Sequence, residues 1–396
     1  MNQPDQIVTD LHEILQSGGG DLKALLVQSL KQAHDRASDD LDPKIFAALD
    51  WPQDLQEYDA YLATFIAWIP QQSNDPAWKD TAPEERYAKE VSIRLAHFFW
   101  LVDQQLGDDT TSTVQNNAAF GDWLTQFARQ WGSFLDTPES FNQDILASFI
   151  NDAPEYTIEE SMVNGHPNAP SGWLTFNQFF ARELNPGLRP ITTPDDNHVV
   201  TSPADCLFKH IYDIDNDSNI PATTIKETHT YGNIKDLLKG SHYADAFAGG
   251  TFVHYMLPPS SYHRFHTPVA GTVKESFVIP GTVYMQVDLT DHHLQSKDNT
   301  QTGYEFTQVH GVLTLDTTES ECGNVGIVAV IPVGMSHVAS VTMTASTSTT
   351  LTKGEEFGYF QFGGSDIIVL FQTGHNPQID TDTTLRHVGS TIARLT

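Results

Sequence analysis

The spacing of apolar residues changes once along this 396-residue chain, near residue 165. From Asp5 to about Met162, apolar residues recur at the spacing of amphipathic helices, as in FGDWLTQFARQWGSFL. Beyond Gly172, short β-branched and aromatic runs such as TVYMQVDL and DIIVLF alternate with Gly, Pro and Asp. These two patterns in succession predict an α+β fold, with a helical N-terminal domain over residues 1–165 and a β-rich domain over residues 166–396.

Charge and composition exclude several classes of partner. The formal net charge is -30, from 51 acidic and 21 basic residues, which argues against nucleic acid and against adhesion to anionic lipid through a basic patch. The first residues lack the features of a secretory signal, and the longest apolar stretch, Val325 to Met335, is too short to span a bilayer. Two cysteines, Cys206 and Cys322, are too few for a disulfide framework. We therefore expect a cytoplasmic protein without a stable membrane anchor.

The segment FGGSD, residues 362–366, precedes the apolar run IIVLF. A glycine turn before a buried strand is the ordinary interpretation. The same residues also permit chemistry, because glycine admits backbone conformations that bring the Ser365 hydroxyl toward the Gly364 carbonyl. An N-to-O acyl shift, followed by elimination and hydrolysis, would convert Ser365 into a pyruvoyl group at a new amino terminus.

Two histidines, His263 and His266, stand three residues apart in SSYHRFHTPVAG. A serine hydroxyl is a weak nucleophile that needs a neighbouring base, and we take His266 as the candidate. A single histidine is more often structural. Metal binding is a rival interpretation that His292 and His293 keep open, but no cluster completes a ligand set at a recognised spacing, so we expect no metal.

An aspartate, Asp205, follows a proline in TSPADC. The ordinary role of such a residue is to bond its own backbone in a turn. An aspartate that orients an imidazole is also the third member of a serine triad, whose order along the chain varies between folds. Asp205, His266 and Ser365 fit that scheme.

Four ordered segments, WLTFNQFFARELNPGLRPI, SPAD, YHRFHTPV and KGEEFGYFQFGGSDIIVLF, resemble the phosphatidylserine decarboxylase family. They cover about half of the chain, roughly Trp173 to Phe371. The helical half, especially FGDWLTQFARQWGSFLDTPES, looks most like the soluble branch of that family, which includes a fungal tryptophan decarboxylase of the psilocybin pathway. The resemblance implies a barrel-like β-rich catalytic domain.

The resemblance also implies roles for individual residues. Asp205, His266 and Ser365 would carry out self-cleavage between Gly364 and Ser365, which leaves a covalent pyruvoyl cofactor on the shorter fragment. His263 would donate the proton in the decarboxylation step. The reaction would remove the α-carboxylate of an amino acid through a Schiff base, since a conjugated carbonyl is the electron sink that the resulting carbanion needs.

Two positions depart from the family pattern. Cys206 stands where the family usually has Gly, so the turn after Asp205 is expected to differ. Asp366 stands where Thr or Ser commonly follows the cleaved serine, and we expect its charge to lie beside the cofactor.

The favoured substrate is a free amino acid, with an aromatic amino acid as one candidate, because the acidic chain has no evident anchor for a lipid surface. Phosphatidylserine, converted to phosphatidylethanolamine, is the alternative. A non-enzymatic β-rich binding module is a second alternative. A serine hydrolase ranks last, because the chain lacks a G-x-S-x-G elbow around Ser365. A homo-oligomer is possible on any of these hypotheses.

Overall fold

The structure, a computed structural model, describes residues 3–17, 19–73, 76–79, 89–106, 113–168, 172–225, 229–296, 304–335 and 340–396. The α+β class is confirmed, because helices dominate the first part of the chain and strands dominate the second. The α-helices are α1 (Gln3–Ser17), α2 (Gly19–Asp40), α3 (Pro43–Ala47), α4 (Leu55–Phe65), α5 (Pro76–Lys79), α6 (Lys89–Trp100), α7 (Ala118–Leu135), α8 (Gln143–Asp152), α9 (Phe176–Phe180) and α10 (Ile234–Leu237).

Strands occupy most of the second part of the described chain. They are β1 (Met162–Val163), β2 (His166–Pro167), β3 (Val199–Thr201), β4 (Leu207–Asp213), β5 (Asn219–Ile225), β6 (His229–Asn233), β7 (Thr251–Leu257), β8 (Arg264–His266), β9 (Gly271–Ile279), β10 (Val287–Thr290), β11 (His293–Ser296), β12 (His310–Asp316), β13 (Ile327–Met335), β14 (Val341–Met343), β15 (Thr350–Leu351), β16 (Glu356–Phe360), β17 (Gly364–Phe371), β18 (Gln378–Ile379) and β19 (Thr391–Arg394).

Polar side chains cap the starts of α4 and α7. The Asp54 carboxylate accepts a hydrogen bond from the Glu57 backbone N–H (2.9 Å), and the Glu57 carboxylate accepts one from the backbone N–H of Gln53, the residue before Asp54 (2.8 Å), in an arrangement that resembles a capping box. The Asn117 side chain accepts from the Phe120 backbone N–H (3.2 Å) at the start of α7. Each contact satisfies a backbone donor that has no partner within its helix.

The helices pack around an aromatic core. On α7, Phe127 is buried and lies 5.2 Å, between ring centroids, from Phe98 of α6 and 5.6 Å from Trp123. The same apolar cluster continues through α9 and includes Phe362, just before β17. The helical core therefore reaches the residues that precede Ser365.

The central sheet has seven strands in the order β15-β9-β12-β13-β17-β7-β4, all of whose pairings are antiparallel. Two three-stranded sheets, β14-β16-β8 and β18-β19-β3, lie beside it. The expected barrel-like sheet is not closed within the described residues, because its edge strands β4 and β15 do not pair with each other.

Strand β17 is buried on both faces. Its side chains alternate, so Ile367, Val369 and Phe371 join one apolar cluster, whereas Ile368 and Leu370 join another on the opposite face. Such a strand reads as a continuous apolar run in the sequence.

Within the described part of the chain, no helix is long and apolar enough to cross a membrane.

The aromatic core of the helices provides a stability test. Phe127→Ala removes a buried ring and leaves a cavity, so we expect the free energy of unfolding to fall by about 3–5 kcal/mol. Gln126→Ala, at the exposed neighbouring position, should change it by less than about 0.5 kcal/mol. Urea denaturation of the two variants and the parent measures both values, and equal midpoints for all three would contradict the packing described here.

Candidate functional site

Ser365 lies near the amino end of the central strand β17 and is buried. It pairs with Leu257 of β7 on one side and with Gly334 of β13 on the other. Both neighbouring strands hold its backbone, so the side chain has a defined direction within the core.

His263 contacts the Ser365 hydroxyl, with 3.0 Å between Nδ1 and Oγ. The other ring nitrogen, Nε2, lies 3.1 Å from the carbonyl oxygen of Pro259. A carbonyl only accepts, so Nε2 carries the hydrogen and Nδ1 is the acceptor for the serine hydroxyl. This tautomer suits removal of the hydroxyl proton.

The pairing of β8 with β16 places His263 there. The carbonyl of His263 accepts a hydrogen bond from the Phe360 backbone N–H (2.9 Å), five residues before Ser365. The Phe180 ring stacks on the imidazole with 4.1 Å between centroids. Burial, together with the nearby charge of Arg182, lowers the pKa of His263 to about 3, although the hydrogen bond to Pro259 partly opposes these effects. The imidazole is therefore neutral at physiological pH.

Gly363 supplies the turn between β16 and β17. Its φ of 147° lies in the region that favours glycine. The sequence-based expectation that this segment needs unusual backbone freedom therefore has a structural counterpart at Gly363, directly before the Gly364–Ser365 bond.

His266, the residue expected to be the base, has other contacts. Its Nδ1 lies 2.9 Å from the Gly354 carbonyl oxygen and therefore donates, while Nε2 accepts from the Tyr262 hydroxyl at 3.0 Å. Burial lowers the pKa of His266, although the bond to Gly354 partly opposes that effect. The structure thus brings His263, and not His266, into contact with Ser365.

Asp205 is buried and bonded to residues that the sequence interpretation did not include. Its carboxylate accepts from Arg189 (2.7 Å to Nη2), from His387 Nδ1 (2.9 Å) and from the Val388 backbone N–H (2.8 Å). Burial alone would raise the pKa of Asp205, but these hydrogen bonds outweigh it and hold the pKa below the usual value. No direct bond joins Asp205 to His266.

The side chain of Asp366 points away from that of Ser365, so the expected charge beside the cofactor does not agree with the geometry. Adjacent residues on a strand point to opposite faces, so Asp366 faces away and bonds His254 at 2.5 Å. Burial would lower the pKa of His254, but the charge and hydrogen bond of Asp366 outweigh it and raise the pKa.

Cys206 is also buried, and its backbone exchanges two 2.8 Å hydrogen bonds with Arg386. The thiol lies 3.3 Å from the Ser202 hydroxyl, and burial raises its pKa to about 12. Cys206, where the resemblance leads one to expect glycine, is therefore an uncharged core side chain.

Three residues that bond the candidate side chains were not predicted from the sequence. Tyr262 and Arg189 stand inside the quoted motifs, and their hydrogen-bonding side chains were the available signal. His387 lies far along the chain from Asp205 and belongs to no motif. Among the described residues, no group of three His, Cys, Asp or Glu side chains has the arrangement of a metal site.

A cavity of about 230 Å³ adjoins His266. Its walls are largely polar and comprise Glu183, Leu184, Asn185, Gly187, Arg189, Tyr262, His266 and Glu356. Of the candidate residues, His266 lines this cavity, whereas Ser365 and His263 are not among its lining residues.

The protonation states provide a test. Since His263 has a pKa of about 3, its ring resonances should stay unchanged between pH 5 and pH 8, whereas His387, whose pKa the Asp205 hydrogen bond raises, should titrate above pH 6.5. NMR of histidine-labelled Ser365→Ala protein measures this, with His263→Gln and His387→Gln for assignment. A His263 midpoint between pH 5 and pH 7 would contradict its burial.

Comparison with known proteins identifies the family. A sequence profile described as phosphatidylserine decarboxylase matches residues 176–394, more than half of the chain. The chain is 33% identical over 251 residues to phosphatidylserine decarboxylase proenzyme 2 of Oryza sativa subsp. japonica, a match that covers 63% of this chain and 37% of the rice protein. It is 30% identical over 256 residues to phosphatidylserine decarboxylase proenzyme of Clostridium perfringens strain SM101, covering 65% of this chain and 78% of that protein.

A third relative has a different kind of name. Decarboxylase iboD of Amanita muscaria is 27% identical over 277 residues, covering 64% of this chain and 77% of the relative. The chain thus spans little more than a third of the rice protein but about three quarters of the two shorter relatives. Because the profile match extends over more than half of its residues, the chain belongs to the phosphatidylserine decarboxylase family, whose members are pyruvoyl-dependent carboxy-lyases.

Proposed function

We propose that this chain cleaves itself between Gly364 and Ser365 and then decarboxylates a free α-amino acid. The observation that carries the proposal is the 3.0 Å contact between the Ser365 hydroxyl and the neutral imidazole of His263. A buried serine with an acceptor on its hydroxyl, after a glycine turn, has the parts that an acyl shift requires. Residues 166–396 are the proposed catalytic domain.

Self-cleavage requires only groups of the chain and one water molecule. Ser365 Oγ bonds to the carbonyl carbon of Gly364, the imidazole takes the hydroxyl proton, and the peptide C–N bond breaks as the proton passes to the nitrogen. The ester then eliminates: the Cα proton of Ser365 leaves with the Cβ–O bond, which frees the Gly364 carboxylate. Water hydrolyses the remaining enamine and releases ammonia, so that the shorter fragment, residues 365–396, begins with a pyruvoyl group.

The geometry and the family resemblance favour different bases for the first step. Contact favours His263, whereas the resemblance assigns self-cleavage to His266 with Asp205 and assigns the decarboxylation proton to His263. His263→Gln and His266→Gln separate these proposals, because the variant that stays uncleaved identifies the base. A His263→Gln protein that cleaves but does not decarboxylate would support the resemblance.

The residues present fit the pyruvoyl group. Ser365 has the three-carbon skeleton, and its strand neighbours Leu257 and Gly334 would retain the new terminus in the core. Once formed from Ser365, the pyruvoyl group would supply a carbonyl that withdraws electrons from the substrate. His263 is the described side chain placed to move a proton at that position, and Phe180 covers its ring and excludes water.

Several observations support a free amino acid over a phospholipid. The cavity beside His266 is small and its walls carry charged groups, which suits an ammonium and a carboxylate better than acyl chains. The net charge of -30 opposes approach to anionic lipid. One relative is named as a decarboxylase without reference to a phospholipid. An aromatic side chain, a cytoplasmic location and a homo-oligomer stay predictions.

Self-cleavage has a direct readout. Intact-mass spectrometry should show two fragments, residues 1–364 and a pyruvoyl-bearing 365–396, in place of a single 44.0 kDa chain. Ser365→Ala should give one chain, since no hydroxyl attacks Gly364. A folded parent that remains intact would instead favour a binding module or a serine hydrolase, and an acylating probe on Ser365 would distinguish those two.

The substrate is tested on the cleaved protein. We expect release of labelled CO₂ from at least one carboxyl-labelled free amino acid and none from vesicles containing 20% carboxyl-labelled phosphatidylserine. The Ser365→Ala protein is the control for both assays and should release none. Release from the vesicles alone would replace the amino acid with phosphatidylserine as the substrate.

A further inference from the structure

We infer that residues 176–182, called the bracket below, position the segment that is cut during self-cleavage, and that the helical region holds the bracket in place. The inference rests on the self-cleavage proposed above and gives the helical region a role in it. The bracket consists of α9 and the two residues that follow it. It lies between α7 and the two segments that carry Ser365 and His263.

Asn177 joins the helical region to the scissile segment. Its side-chain oxygen accepts a hydrogen bond from the Phe362 backbone N–H (3.1 Å), and its amide nitrogen donates to the Gly132 carbonyl (3.1 Å) and to Asp136 (3.0 Å) at the end of α7. This set of two acceptors and one donor fixes the orientation of the amide. Asp136 also accepts from the side chain of Gln361 (3.1 Å).

Aromatic rings enclose the same segment. Phe362 is buried, and its ring meets Trp131 of α7 and Phe176 and Phe180 of α9 edge to face, at 5.1–5.6 Å between centroids. Phe180 also stacks on His263. A single bracket residue therefore contacts both the segment before the scissile bond and the imidazole that faces Ser365.

The far end of the bracket holds the loop before His263. Arg182 is buried and donates from Nη2 to the carbonyl oxygens of Tyr156 (2.6 Å) and Ser260 (3.3 Å). Tyr156 belongs to the helical part of the chain, and Ser260 lies three residues before His263. The helical region thus constrains the segment before Ser365 through Asn177. It constrains the loop before His263 through Arg182.

These contacts matter for rate because an intramolecular attack depends on approach geometry. A displacement of about 1 Å from a reactive arrangement costs on the order of 100-fold in rate. Asn177 lies outside hydrogen-bond contact with Ser365 and His263 in the described structure, so it is a positioning residue that acts through Phe362.

The test follows cleavage of newly purified chain by intact mass over time. We expect Asn177→Ala to slow cleavage by about tenfold or more. Asn117→Ala is the matched control, because it also removes an asparagine that bonds a backbone N–H, at the far end of α7, and should cleave within about twofold of the parent. Thermal unfolding in a Ser365→Ala background compares the stabilities of the two variants without cleavage.

A charge exchange distinguishes positioning from general stability. Asn177→Asp alone places a second carboxylate next to that of Asp136. The two negative charges repel each other, so this variant should cleave more slowly than the parent. In the double variant with Asp136→Asn, the new amide at position 136 donates a hydrogen bond to the carboxylate at position 177. That carboxylate still accepts from the Phe362 backbone N–H. The double variant should therefore cleave at least fivefold faster than Asn177→Asp.

Each outcome has a defined meaning. A parent that cleaves while Asn177→Ala keeps its rate, or an Asn117→Ala protein slowed as much as Asn177→Ala, overturns the bracket and leaves the proposed function intact. The same holds for a double variant no faster than Asn177→Asp. An uncleaved parent overturns the proposed function and the bracket together.

Discussion

The contact between Ser365 and His263 depends on the chain passing from one sheet into another within three residues. Strand β16 pairs with β8 and thereby fixes the backbone of His263 against Phe360, while β17 enters the middle of the seven-stranded sheet at Gly364. The turn between the two strands includes Gly363, whose φ of 147° is a backbone conformation that favours glycine. Nucleophile and imidazole are thus held by strand pairing, which is stiffer than a surface loop.

The central position of β17 explains why Ser365 and Asp366 differ so much in surroundings. A strand buried on both faces places consecutive residues in separate environments. Ser365 faces the imidazole, whereas Asp366 faces His254 across the other side of the sheet, and each polar group has a partner. A buried carboxylate without such a partner would be costly, so His254 makes Asp366 tolerable in the core.

Much of the fold was predictable because apolar spacing reports local structure directly. The helix-to-strand order and the buried strand after Ser365 follow from it. The same period of two would have placed Asp366 on the face opposite Ser365, but the expectation of a charge beside the cofactor did not apply it. Which of the two histidines, His263 or His266, contacts Ser365 was not predictable, since it depends on the pairing of β8 with β16. The partners of Asp205 were equally hidden, because His387 lies 182 residues away.

Asp205 influences the two histidines through its charge and not through contact. Its hydrogen bonds are made to Arg189, His387 and Val388, yet its negative charge raises the pKa of both His263 and His266 against the larger effect of burial. An imidazole that takes a proton from Ser365 becomes positive in a low-dielectric core, where a fixed negative charge is felt over a longer distance than in water. Asp205 can therefore stabilise whichever imidazole becomes charged, and Arg189 limits that effect by neutralising part of its field.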